Sequence, residues 1–166
     1  FVSATGTGWT CNNAAGTGAP GAGPMTRAGL GSDFYYVNST PVMALLYGLD
    51  VAAMNRWGAA PDLVLSGPNE GQNVGSIVIS SGTVSAAQAA ALRGLPAIAL
   101  SAGQNTAGQD LTNPLSPVVA RQSADLVGAL DSASGGGRIM PAGLALNVNF
   151  PDDPTGAVFC ASQIGS

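Results

Sequence analysis

The chain contains no lysine and no histidine, and only one of its carboxylates is a glutamate, Glu70. Five basic residues, all arginine, and nine acidic ones hold the charged fraction to 8% and the net charge to -4. No base or nucleophile of the lysine or histidine type is therefore present, and so few cations exclude the basic surface that a nucleic-acid polymer requires. The negative balance repels anionic lipid as well. No stretch approaches the roughly 18 uninterrupted apolar residues of a membrane-spanning helix. The opening, FVSATGTGWT, has neither the basic flank nor the apolar core of a signal peptide.

Cysteine is scarce too. Cys11 and Cys160 lie near opposite ends, and without histidine they make a poor zinc set. In an exported protein they could close one long disulfide loop, worth on the order of 4 kcal/mol. In a cytosolic protein they would be two buried thiols, and connectivity does not follow from sequence. The lysine-free, small-residue-rich composition favours an exported protein, whether secreted, periplasmic or held at the cell surface.

What is present is an apolar fraction of 46% in 166 residues, enough for one domain with a core. We read a single α/β domain with a Gly/Ala/Thr-rich irregular entry over 1–34, a core over 35–151 and an arm over 152–166. Thr40 and Pro41 start a helix whose apolar positions Val42, Leu45, Leu46, Leu49, Ala53 and Trp57 share one face, and Gly58 stops it. Trp9 and Trp57 are expected to be packing residues. Leu63, Val64 and Leu65 form a short apolar run between Pro61 and Gly67, the pattern of a buried parallel strand. Ser81 or Thr83 caps an alanine-rich helix that Gly94 ends, and Leu95–Ser101 is a second buried strand, which completes a βαβ unit. A further helix runs from Ser116 and Pro117 to about Asp131. The last strand is in GLALNVNF, where Leu144, Leu146, Val148 and Phe150 alternate with Ala145, Asn147 and Asn149.

Two loops fall on the carboxyl side of such a sheet, where open α/β folds bind ligands. One is SGPNEGQNVG, Ser66 to Gly75; the other is the Ser80, Ser81, Gly82, Thr83 turn. A helix N-terminus offers unpaired N–H groups and a positive dipole end to phosphate, although the same residues also suit a plain helix cap. Asn69 can give a neutral oxygen to a hard cation, which ordinarily also wants carboxylates, or can simply serve the turn. A dinucleotide-binding oxidoreductase is disfavoured, because GPNEGQNVG lacks the G-x-G-x-x-G spacing.

Taken together, PDLVLSGPNEGQNVG and SSGTVSAAQAAALRGLPAIALS, preceded by YYVNSTPVMALLYGLD and followed by LALNVNFP, resemble the SurE family of survival-protein nucleotidases, especially its exported acid-phosphatase-like branch. The resemblance implies a Rossmann-like, mostly parallel sheet with flanking helices, and a phosphomonoesterase acting on nucleoside monophosphates or similar esters with Mg²⁺ or Mn²⁺. It also implies homo-oligomers assembled partly through a C-terminal arm. Asn69 would be a metal ligand, and Ser81, Gly82 and Thr83 would line the phosphate pocket.

The sequence departs from that pattern in several respects, including a Gly-Thr-Pro turn altered to Ser39, Thr40, Pro41 and an aspartate replaced by Val42 or Met43. The family's N-terminal strand ends in two adjacent aspartates, and no such strand is here. The one Asp-Asp pair, Asp152 and Asp153, follows the last strand, where a solvated turn suits it. The loop with Thr5, Thr7 and Thr10 stands where the family has a serine loop. Three explanations fit: an N-terminally incomplete chain lacking roughly 30 residues or more, aspartates on a separate chain, or a non-catalytic descendant used for its surfaces. The first is the favoured expectation, and a self-assembling extracellular structural protein on the same fold is the alternative.

Overall fold

The structure, a computed structural model, describes residues 2–4, 9–11, 22–25, 29, 31–104 and 113–162, the first two groups as backbone only. The chain divides into two compact units, Phe1–Pro61 and Asp62–Ser166.

In the first unit β1 (Val2–Ala4) pairs antiparallel with β2 (Trp9–Cys11), and β3 (Ala22–Pro24) with β4 (Tyr35–Val37). Three of these short strands lie in the stretch whose composition reads as irregular; backbone pairing does not require the apolar side chains that signal a strand. A helix follows as expected. The Thr40 hydroxyl accepts from the Met43 N–H, Pro41 opens α1 (Pro41–Tyr47), and Gly58 ends α2 (Met54–Trp57) in the left-handed conformation. Between them lies a π-helical stretch, Gly48–Ala53. Its wider turn breaks the 3.6-residue period. Leu49 and Ala53 are buried, but Trp57 is 63% exposed and is not the packing residue its spacing suggested. The side chain of Trp9 lies outside the described residues.

The second unit carries a three-stranded parallel sheet in the order β5 (Val64–Glu70), β6 (Ala97–Ala102), β7 (Ala145–Asn149). The α/β class read from the sequence is therefore the one observed. Helix α3 (Gly82–Leu92) connects β5 to β6, and α4 (Ser116–Ser134) connects β6 to β7. The central strand β6 is buried at every position, which accounts for its unbroken apolar run. Alternate side chains of a strand face opposite sides. Ile98, Leu100 and Ala102 pack with Val119 of α4, Met140 and Phe150, joined by Leu146 and Val148. That leaves Ala97, Ala99 and Ser101 on the side of α3, where three of the five buried positions, Thr83, Val84, Ala86, Ala87 and Ala90, are alanine. Small residues on both partners let helix and sheet lie close.

Past β7 the arm forms no strand over Pro151–Ser162. Instead Phe159 sets its ring edge against Phe150, with centroids 6.0 Å apart. Among the described residues, no helix is long and apolar enough to cross a membrane.

Candidate functional site

Polar residues gather at the carboxyl ends of the three parallel strands. Strand β5 reaches that edge through a bulge: its register with β6 runs Ser66 opposite Ala99, then resumes with Asn69 opposite Ser101. The bulge depends on Gly67, whose φ of 113° suits glycine, and where any Cβ would collide with the Leu100 carbonyl oxygen. Bulges of this kind re-aim side chains. Here the strand continues to Glu70, well beyond the apolar run that marks it in the sequence.

Asn69 is half-buried. Its side-chain amide nitrogen donates to the Glu70 carbonyl oxygen at 3.1 Å and to the Gly71 carbonyl oxygen at 2.8 Å. With Nδ2 held by these two carbonyls, Oδ1 lies on the other branch of the planar amide and is directed away from them. A fixed neutral oxygen is suitable donor chemistry for a hard divalent cation. Among the described residues, however, no three His, Cys, Asp or Glu side chains come together in a way that could hold a metal. The described residues therefore offer one oxygen ligand and not a complete set.

The loop after Asn69 is stitched to both neighbouring strands. The Gly71 N–H donates to the Ala102 carbonyl at 3.1 Å, and the Gln72 side-chain amide to the Phe150 carbonyl at 2.7 Å. Asn73 is buried and bonded three ways. Its side-chain amide donates to Ser101 Oγ at 2.7 Å, its backbone N–H donates to Asn149 Oδ1 at 2.7 Å, and its carbonyl accepts from Asn147 Nδ2 at 2.8 Å. Sequence reasoning did not single out Asn73, Asn147 or Asn149. The signal available was the alternation of asparagine with apolar residues in β7, which reads as a polar face and says nothing of what bonds to it.

Ser81, Gly82 and Thr83 stand where expected, at the start of α3. Ser81 is the N-cap, its Oγ accepting from the Val84 N–H at 3.1 Å, and Ser81 and Thr83 are both buried. Accepting that bond leaves the hydroxyl its own hydrogen to donate. Helix α3 begins on the carboxyl side of β5, as the helix of a βαβ unit does, so this N-terminus and Asn69 belong to the same edge of the sheet.

The carboxylates at this edge are already engaged. Asn113, buried at the entry to α4, donates to Glu70 Oε2 at 3.3 Å while its own Oδ1 accepts from the Leu115 N–H at 2.9 Å. Asp152 Oδ1 accepts from the Gln104 N–H at 3.2 Å. Its backbone lies so near Gly103 that a Cβ there would clash, 2.7 Å from the Asp152 nitrogen. Asp153 is in an exposed turn, as expected; hydrogen bonds from the Thr155 side chain and backbone hold its carboxyl below the ordinary value of 3.8. The Cys160 thiol is free and exposed, so it forms neither the disulfide with Cys11 nor the buried thiol that the sequence allowed. The side chains of Thr10 and Cys11, and the whole of Thr5 and Thr7, lie outside the described residues. A groove of about 630 Å³ runs beside β7, lined by Val74, Val78, Leu146, Val148, Phe159 and Cys160 among others. None of Asn69, Ser81, Gly82 or Thr83 lines it, although Asn147 and Asn149, the partners of Asn73, do.

Comparison with known proteins addresses the fold and the motifs together. A family model described as survival protein SurE matches residues 2–164. The chain is similar to a 5'-nucleotidase SurE of Methylocella silvestris, 39% identical over 124 residues, which cover 75% of this chain and 45% of the relative. It is 43% identical over 126 residues to a 5'-nucleotidase SurE of Desulfatibacillum aliphaticivorans, covering 76% of this chain and 44% of that one. An acid phosphatase of Yarrowia lipolytica is 35% identical over 153 residues, covering 82% of this chain and 42% of the relative. The crystal structure of the SurE protein from Aquifex aeolicus aligns with a TM-score of 0.53 at 32% identity, over 74% of this chain and 44% of that one. The chain thus spans less than half the length of these relatives. With the family match extending over nearly all of its residues and the parallel sheet common to a solved relative, this chain belongs to the survival protein SurE family.

Proposed function

We propose that this chain forms the α/β part of a phosphomonoesterase, a hydrolase that splits nucleoside monophosphates or similar phosphate esters into an alcohol and orthophosphate. One observation carries the reading: Asn69, its amide nitrogen held by two carbonyls, and the Ser81-capped N-terminus of α3 belong to one edge of the sheet. Names of relatives, 5'-nucleotidase and acid phosphatase, support the same class.

In this reading the phosphate group sits against α3, where the first backbone N–H groups and the positive end of the helix dipole favour an anion. Gly82 allows close approach, and the Ser81 and Thr83 hydroxyls add donors. Asn69 would give its oxygen to a divalent cation, Mg²⁺ or Mn²⁺, together with carboxylate ligands that the described residues do not supply. When bound, such an ion supplies Lewis-acid stabilisation of the phosphoryl oxygens and lowers the pKa of coordinated water. The protein's own groups orient the ester and keep its charge compensated. Secretion or surface display accords with the lysine-free composition, and a homo-oligomer is the proposed assembly.

The test is orthophosphate release from a nucleoside 5'-monophosphate and from p-nitrophenyl phosphate, combined with the intact mass of the purified reduced protein. Turnover, with a mass several kilodaltons above 16.2 kDa or a co-purifying second chain, is the expected result. A mass of 16.2 kDa with no second chain and no turnover overturns it in favour of a non-catalytic scaffold.

A further inference from the structure

Asn69 can present its oxygen only while the carbonyl oxygens of Glu70 and Gly71 stay in place to hold its nitrogen. The Gly71 carbonyl belongs to a loop, residues 71–74, with no regular structure of its own. Something outside the loop must therefore fix it. Of the loop's attachments, Asn73 makes the greatest number: a buried bond to Ser101 in β6, and backbone bonds at both its N–H and its carbonyl to Asn149 and Asn147 in β7. It joins two strands at once, and it lies in the chain between Asn69 and the Ser81 cap.

We infer that Asn73 is a positioning residue: by clamping the loop onto β6 and β7 it holds the Gly71 carbonyl where it accepts from Asn69 Nδ2, and so fixes the rotation of the Asn69 side-chain amide. In the clamp each donor meets its acceptor at 2.7 to 2.8 Å, with the Asn73 side chain out of water. Removing a buried partner leaves the other unsatisfied, and the loop then relaxes toward water to recover the bond. Asn73 touches no substrate in this account; it acts through Asn69. Its consequence for metal binding rests on the proposed function, whereas its hold on the Asn69 side chain does not.

The test is a ¹H–¹⁵N spectrum of the Asn69 side-chain amide in the full-length protein, compared for wild type, Asn73→Ala and Ser101→Ala, together with Mn²⁺ titration. Ser123→Ala is the control, because Ser123 is similarly buried but bonds within α4 to the Val119 carbonyl. The expected result is that Asn73→Ala moves both Asn69 amide protons to the free-amide position and weakens Mn²⁺ about tenfold or more, the usual cost of losing an outer-shell partner. Ser123→Ala leaves both readouts at wild-type values. If Asn73→Ala does not fold, Ser101→Ala, which removes only the acceptor, gives the same shift at smaller amplitude. Unshifted Asn69 amide protons in a folded variant overturn the inference. Shifted protons in a protein that takes up no Mn²⁺ support the clamp and overturn the phosphatase reading instead.

Discussion

The Asn73 side-chain amide donates to Ser101 Oγ at 2.7 Å, in a position where Asn73 is 5% and Ser101 0% exposed. A buried pair of this kind is costly to half-dismantle. Ser101→Ala leaves an amide hydrogen without its acceptor, and the expected loss is about 1–3 kcal/mol in urea unfolding. A negligible loss would mean that water replaces the hydroxyl.

Gly67 is the second point of sensitivity. Gly67→Ala must find room for a Cβ against the Leu100 carbonyl oxygen at a φ of 113°, whereas Gly94, at 79°, faces open space. Gly94→Ala is expected to cost about 1–2 kcal/mol for its left-handed backbone alone. Gly67→Ala should lower Tm well beyond that, since it also forces β5 away from β6. Equal melting temperatures would contradict the role given to the bulge.

Ser81 combines two jobs that substitution can separate. Ser81→Ala removes the N-cap and is expected to cost about 0.5–2 kcal/mol. Ser81→Asp keeps a capping oxygen and suits the helix dipole, so most of the stability returns. Its negative charge should nonetheless weaken orthophosphate binding, measured by calorimetry. Unaltered phosphate affinity in Ser81→Asp would place the anion elsewhere.

Asp153 makes stability depend on acidity in a definite direction. Its carboxyl is held below 3.8 by Thr155, so the folded state prefers the ionised form. The contribution is fully present above the unfolded-state value and is lost as pH falls through the lower, folded-state value. A carbon-detected NMR titration should give a midpoint below 3.8 for Asp153, rising toward it in Thr155→Val, which keeps the backbone bond. A midpoint at or above 3.8 in the native protein would refute the assignment.

Much of the second unit was legible from local chemistry. Ser81 as a cap, Pro117 near the start of α4 and the apolar alternation of β7 are decided within a few residues of themselves, whereas α4 runs to Ser134, past the expected end near Asp131. The same holds for Asn69 and the Ser81–Thr83 turn, whose motifs carry the family likeness. Other features depend on partners distant in sequence. Strand β5 runs on to Glu70 because β6 lies beside it, not because SGPN favours a strand. Asn73 looks like any turn asparagine until Ser101, Asn147 and Asn149 are brought to it across 28 to 76 positions. Trp57 was misread for a different reason: the π-helical stretch rotates it off a stripe that a regular helix would have kept.

The central claim is that Asn69 serves a divalent cation in phosphate-ester hydrolysis. It is tested most directly by following p-nitrophenyl phosphate hydrolysis by the purified full-length protein through exhaustive chelation and back-addition of Mn²⁺, in wild type and in Asn69→Ala. The account predicts that chelation abolishes turnover, that Mn²⁺ restores it in wild type, and that Asn69→Ala raises the Mn²⁺ requirement beyond the roughly tenfold increase that loss of an outer-shell partner brings. Full activity after chelation, or an Asn69→Ala protein with an unchanged Mn²⁺ requirement, would contradict it.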